Sequence, residues 1–134
     1  MRFPSAEWAE SFRTALDGNV EYREAAAAWE GQILFRVVPA TTDSPSPGIL
    51  LDLSQGRCNA ATFFADSRAI ASEFVYEGSR ENRQRLLRGE LDPVKALLDG
   101  TFRMRGNLLK ASRFMRAAKS LVETAASIPA DVGE

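Results

Sequence analysis

Between Arg88 and Asn107 the chain reads R-G-E-L-D-P-V-K-A-L-L-D-G-T-F-R-M-R-G-N, a run dense in residues that start or stop structure. Gly89 suits a left-handed stop after a preceding helix. Asp92-Pro93 reads as a helix start: the carboxylate can accept from free backbone N–H groups, and proline at the first helical position gives up no needed donor. Val94 to Leu98 leaves barely two turns before Gly100. Thr101 to Arg105 alternates with period two, which sets Phe102 and Met104 on one side of a strand and Arg103 and Arg105 on the other. Gly106 turns the chain, and Asn107 can cap another helix. A helix stop, a mini-helix, one short strand and a long helix make an unusual order.

The flanking sequence supplies the other layers. Ser5 can cap a helix to about Leu16, with Trp8, Ala9, Phe12, Ala15 and Leu16 on one arc. Asn19 can cap a second helix in which Tyr22, Ala25, Ala26 and Trp29 recur at helical spacing, up to a stop at Gly31. Gln32 to Val38 then alternates, with Ile33, Phe35 and Val37 on one side. Thr41 to Gly48 is polar and proline-rich, an exposed hairpin loop. Ile49, Leu51 and Leu53 alternate around Asp52, and Ser54-Gln55-Gly56-Arg57 is a tight turn into a strand from Cys58 to Ala65. Ile70, Ser72, Phe74 and Tyr76 mark the inner side of a fourth strand. Four consecutive strands with short turns favour an antiparallel meander. Ser79 can cap a short, mostly polar helix to Arg88, with only Leu86 and Leu87 to bury. The last helix is predicted from Leu108 to about Ala126, its apolar arc built from Leu108, Ala111, Phe114, Met115, Ala118, Leu121, Val122 and Ala125.

With 134 residues and 45% hydrophobic content, one domain over 1–134 with a real core is expected. The apolar runs are too short to cross a bilayer, and neither a signal-peptide core nor a targeting tripeptide is visible, so a cytoplasmic location is expected. The chain has no histidine and one cysteine, Cys58. That removes the commonest general base and metal ligand and every Cys-His or Ser-His dyad, so neither an enzyme nor a cofactor or metal is expected. Asp92 reads as a cap and Cys58 as a small buried hydrophobe.

The net charge of −1 hides an asymmetry: residues 1–79 sum to −5, residues 80–119 to +7 and residues 120–134 to −3. Arg103, Arg105, Lys110, Arg113, Arg116 and Lys119 belong to the positive block. Such a block can be a solvated helix face, a nucleic-acid footprint, or a surface for transient contact with an anionic membrane. Nucleic acid is disfavoured, because no aromatic interleaving, zinc spacing or recognised motif accompanies the cations. Periodicity by itself favours a packed core over a ligand cavity.

The pattern G-x-L-D-P-x-x-A-L-x-x-G-x-F-x-x-x-G-N, followed by a long amphipathic helix, resembles the C-terminal signature of the sterol carrier protein (type two) lipid-transfer domain. Linked features extend the likeness from about Trp8 to Val122. They are W-E-G before the first strand, L-D-L-x-x-G before the third, and Phe74 with Gly78 ahead of the short helix. The resemblance is to free-standing bacterial members.

It implies an α+β fold: a five-stranded, mostly antiparallel sheet covered on one face by helices, in the order α-α-β-β-β-β-α-α-β-α. It also implies a non-enzymatic lipid or sterol carrier, with a hydrophobic tunnel between sheet and helices for fatty acids, acyl-CoAs or other apolar lipids. The tunnel wall would then come from Phe35, Leu51, Phe74, Tyr76, Phe102, Met104, Leu108, Phe114 and Met115, with Leu91 and Leu98 near the entrance. Arg103, Arg105 and Arg113 are candidates for a headgroup, and with Lys110, Arg116 and Lys119 for a membrane surface. The alternative is an interaction or accessory module with the same fold and no physiological lipid. The oligomeric state stays open.

Overall fold

The computed structural model describes residues 2–39, 41 and 43–129, without the side chains of residues 93, 94 and 97. Residue 42 of the expected hairpin loop and the tail beyond residue 129 lie outside the described residues. The helices α1 (Ala6–Asp17) and α2 (Val20–Ala25) precede the strands β1 (Glu30–Val38), β2 (Gly48–Ser54), β3 (Arg57–Phe64) and β4 (Phe74–Ser79). Then come α3 (Arg80–Leu87), α4 (Pro93–Leu98), β5 (Arg103–Arg105), α5 (Leu108–Ser112) and α6 (Met115–Ser127). The fold is α+β, and its start signals are the expected caps. Ser5, Asn19, Ser79 and Asn107 each accept a hydrogen bond from a backbone N–H three residues on, at 3.0–3.1 Å.

The sheet runs β3-β2-β1-β4-β5, with β1 and β4 parallel and the other pairs antiparallel. This corrects the meander. β1 buries Ile33, Phe35 and Val37 on one face and Leu34 on the other, as suits an interior strand, and it has β2 and β4 on its two edges. β3 alternates with exposed Asn59 and half-buried Ala61 and sits at the margin. Residues 65–73 therefore form a crossover instead of a turn and the start of a strand. Ser67 anchors it: its hydroxyl donates to the Ser46 carbonyl (2.8 Å), and Arg36 donates to its hydroxyl and carbonyl at 3.3 and 3.1 Å. The β2–β3 hairpin turns through Gln55 and Gly56 at φ 51° and 79°, the two positive values that suit a tight hairpin. Gly56 is also required by space, since a Cβ there would lie 2.5 Å from the Arg23 carbonyl oxygen.

One face of the sheet carries the core. The register aligns Phe35 with Ile49, Tyr76 and, one strand further, Met104, and Ile33 with Leu51 and Phe74. Rings continue outward from this face: Phe3, Trp8, Phe12, Phe35, Tyr76 and Phe102 follow one another with centroids 4.6–5.7 Å apart. Trp29 bridges Phe74 and Phe114 at 5.2 and 5.0 Å. That is why α2 is short. The expected helix to Trp29 ends at Ala25, and Trp29 instead gives its carbonyl to Gln55 N–H at 2.8 Å while its ring covers Phe74.

Phe102 ends the ring series by lying against Gly78, where a Cβ would come within 2.1 Å of Phe102 Cδ1. Gly78→Ala must therefore displace a ring that is only 2% exposed. The expected cost is about 1–3 kcal/mol, read as a lower urea midpoint at unchanged slope; a midpoint equal to wild type would contradict this packing.

The last helix also differs from expectation. It breaks at Arg113-Phe114 into α5 and α6, with Phe114 at φ −123°, ψ 34°. The Ser112 hydroxyl donates to the Leu109 carbonyl at 2.7 Å, a local alternative that weakens the turn. The break aims the Phe114 ring at Trp29 and rotates the flanking residues outward. Leu108 and Met115, expected inside, are 57% and 41% exposed. α3 departs in the other direction: besides Leu86 it buries Arg83.

Candidate functional site

A cavity lies between the core face of the sheet and the helices α2, α5 and α6. The strands contribute Ile33, Leu53, Phe74, Tyr76 and Met104; Tyr22 and Trp29 close one side. Ala111, Phe114, Ala117, Ala118, Leu121 and Val122 form the helical wall. Its volume is about 40 Å³, which holds about three waters and no lipid chain. The lining is hydrocarbon and aromatic throughout, apart from the hydroxyls that Tyr22 and Tyr76 carry. Burial pushes the Tyr76 phenol up to about 12 and raises that of Tyr22, so both are neutral donors near pH 7.

Of the residues named from sequence, the structure brings Phe74, Tyr76, Met104 and Phe114 into this wall. Phe35, Leu51 and Phe102 are buried in the surrounding core and do not reach the cavity. Leu91 is half-buried against the core. Leu98, expected at an entrance, is 68% exposed at the end of α4, and Leu108 and Met115 also face outward. The corrections at the last helix have one origin. A wheel for an unbroken helix keeps Leu108, Phe114 and Met115 on one arc, whereas the break lets only Phe114 stay inside.

The cations divide into three groups. Lys110 is not a free surface charge. Its Nζ donates to the Glu30 carbonyl at 2.6 Å, pairs with Glu73 at 3.1 Å and sits 4.8 Å from the Trp29 ring centroid. It thus latches α5 to the start of β1 and of β4. Arg103 and Arg105 project from the opposite side of β5 to Met104, where Arg105 pairs with Glu77 at 3.0 Å. Both border an open cleft of about 620 Å³ that also includes Arg36 and Arg68. Arg113, Arg116 and Lys119 are exposed along α5 and α6.

Cys58 lies on β3 with its backbone N–H donating to Asp17 at 2.8 Å. Burial first, and then the Asp17 carboxylate, push its thiol up to about 12, so it is no nucleophile at neutral pH. No helix among the described residues is long and apolar enough to cross a membrane. What the site can supply is desolvation and dispersion for an apolar guest.

The lining residues missed from sequence include Ile33 and Leu53, which alternation turned inward without marking them as wall, and Ala117, which lay off the expected apolar arc of the last helix. Ala111, Ala118, Leu121 and Val122 stood on the expected apolar arc but looked like ordinary packing. Tyr22 looked like helix core, and so did Trp29, because the early end of α2 has no local signal.

Sheet, helical cover and apolar interior together define a small α+β fold with an apolar cavity between its layers. Residues 12–119 match the SCP-2 sterol transfer family, and the chain belongs to it. A crystal structure of sterol carrier protein 2 is similar at 28% identity, with a TM-score of 0.81 over 92% of this chain and 97% of that one. A protein from Thermus thermophilus, described as a possible sterol carrier protein, is similar at 27% identity and TM-score 0.80, over 98% and 92% of the two chains. Palmitated SCP2L2 from Aedes aegypti shares the fold, at 15% identity and TM-score 0.55 over 85% and 94%. No curated protein matches the chain by sequence.

Proposed function

We propose that this protein is a non-enzymatic lipid carrier that takes a single apolar chain, such as that of a fatty acid or acyl-CoA, between sheet and helices. The observation that carries this reading is the unbroken apolar lining from Trp29 and Phe74 to Ala118 and Val122. About ten buried methylenes at about 0.8 kcal/mol each would support micromolar binding without any polar recognition group. Because the cavity is small, a guest has to lift α5 and the start of α6 from the sheet. The helical wall suits that motion. Three of its members are alanines, it is broken at Phe114, and Lys110 holds its first segment through a partly exposed cation rather than through a deep apolar anchor.

Displacement of a fluorescent fatty acid, with native mass spectrometry of freshly purified protein, tests the proposal. Saturable displacement or a copurified lipid mass is expected. A folded protein that neither carries lipid nor binds the probe would favour the accessory-module alternative.

A delivery surface is a second part of the proposal. Leu108, Leu109 and Met115 are exposed on the same short segment as Arg113 and Arg116, with Lys119 one turn further. Apolar side chains flanked by cations suit an anionic bilayer interface. Binding to vesicles containing anionic lipid is expected at low salt and should weaken several-fold as ionic strength rises toward physiological values. Absent or salt-indifferent binding would rule this surface out.

A further inference from the structure

Arg83 is the one arginine among the described residues that is nearly fully enclosed, at 4% exposure. Its guanidinium carbon lies 5.3–5.7 Å from the ring centroids of Phe3, Phe35, Tyr76 and Phe102. Its Nη2 donates to the Tyr76 carbonyl at 3.3 Å, and its Nε has no partner. Among the described residues no carboxylate comes within ion-pair distance of it. Burial pulls its pKa down to about 10, which still leaves it charged at neutral pH.

A buried, hydrogen-bond-starved cation is an expensive choice for a core, where methionine or leucine would pack without penalty. Rings offset part of that cost through their negative faces, but they offer no acceptor in the plane of the guanidinium. A second orphan lies beside it. The Tyr76 hydroxyl is buried with no partner, and the Tyr76 ring both faces Arg83 and forms part of the cavity wall. The Arg83 Nε and the Tyr76 hydroxyl are thus two buried donors without acceptors; the Tyr76 ring borders the apolar cavity, and Arg83 packs against that ring outside the lining.

Building on the lipid-carrier reading, we propose that Arg83 is the anion receptor of the cavity. The lipid's carboxylate passes Tyr76 and accepts from the guanidinium, while its chain occupies the space between Phe74 and Ala118. The protein accordingly selects single-chain lipids with a terminal carboxylate over neutral lipids of equal length. The planar guanidinium fits a carboxylate through two parallel hydrogen bonds, and low dielectric strengthens them. A sterol or a fatty alcohol would fill the apolar space but leave the cation uncompensated.

Binding of palmitate, methyl palmitate and hexadecyl phosphate, measured by displacement of one neutral fluorescent probe, tests the assignment in wild type, Arg83→Met and Arg83→Lys. Wild type is expected to bind palmitate at least about tenfold more tightly than methyl palmitate. Arg83→Met should erase that preference by weakening palmitate alone, and Arg83→Lys should keep part of it. Equal binding of palmitate and its ester by wild type would overturn this inference and leave the carrier reading standing. So would an Arg83→Met protein that loses affinity for both equally. Tighter binding of hexadecyl phosphate than of palmitate would overturn the carboxylate assignment. Binding of neither palmitate nor ester overturns the carrier reading and this inference with it. Should Arg83→Met fail to fold, carboxyl-labelled palmitate bound to wild type decides by NMR. Its carboxyl is expected to stay ionised at pH values where the free acid protonates, and an unshifted titration would overturn the proposal.

Discussion

Met104→Arg is expected to weaken binding of a fluorescent fatty acid by at least about tenfold, equivalent to about 1.4 kcal/mol, in a protein that still folds. Met104 is half-buried on β5, pairs with Tyr76 across the sheet and forms one wall of the cavity. An arginine there brings a charge to the rim of an apolar space, and any chain entering beside it must desolvate that charge. The fold tolerates the change because β5 is a three-residue edge strand and the long side chain can carry its head outward. A stability loss under about 2 kcal/mol is expected, small enough to leave a folded protein in which the loss of binding can be read. Wild-type affinity in the folded variant would show that this cavity is not where the chain sits.

Phe12→Ala is expected to do the reverse and cost about 3–5 kcal/mol of stability. Phe12 has no exposed surface and stands between Trp8, stacked at 5.3 Å, and Phe35 at 5.7 Å. Removing it opens a void at the centre of the ring series that joins α1 to the sheet. α1 is held by an apolar face of four buried residues, so the loss has few other contacts to absorb it. Phe12 is not part of the cavity wall. Affinity per folded molecule should therefore change little. Denaturant unfolding followed by far-ultraviolet circular dichroism would measure the loss. A cost below about 1.5 kcal/mol would mean that the neighbouring rings collapse into the space.

The two variants separate stability from binding because core and cavity share one face of the sheet without sharing all residues. Alternation in sequence identified that face correctly: Ile33, Phe35, Leu51, Phe74 and Tyr76 all turn inward. It did not distinguish Phe74 and Tyr76, which border empty space, from Phe35 and Leu51, which do not. Period reports orientation alone. Whether an inward side chain meets an atom or a void depends on how the helices sit across the sheet.

What the amino-acid sequence determined by itself is whatever the backbone decides within a few residues. The caps at Ser5, Asn19, Ser79 and Asn107, the tight turn at Gln55-Gly56 and the period-two strands are of this kind. The clustered signature from Gly89 to Asn107 added the family, which residues 12–119 bear out. Tertiary structure alone decided three other matters. β4 takes the second edge of β1, parallel to it, by way of the crossover over residues 65–73, and nothing local in either strand records that pairing. At the break in the last helix it is Phe114 that points inward, because it gains Trp29 as a partner from far along the chain. Lys110 and Arg83 turn inward because Trp29, Phe74 and Glu73 surround one and Phe3, Phe35 and Phe102 the other. A cation's fate depends on groups tens of residues away, and helical spacing carries no record of them.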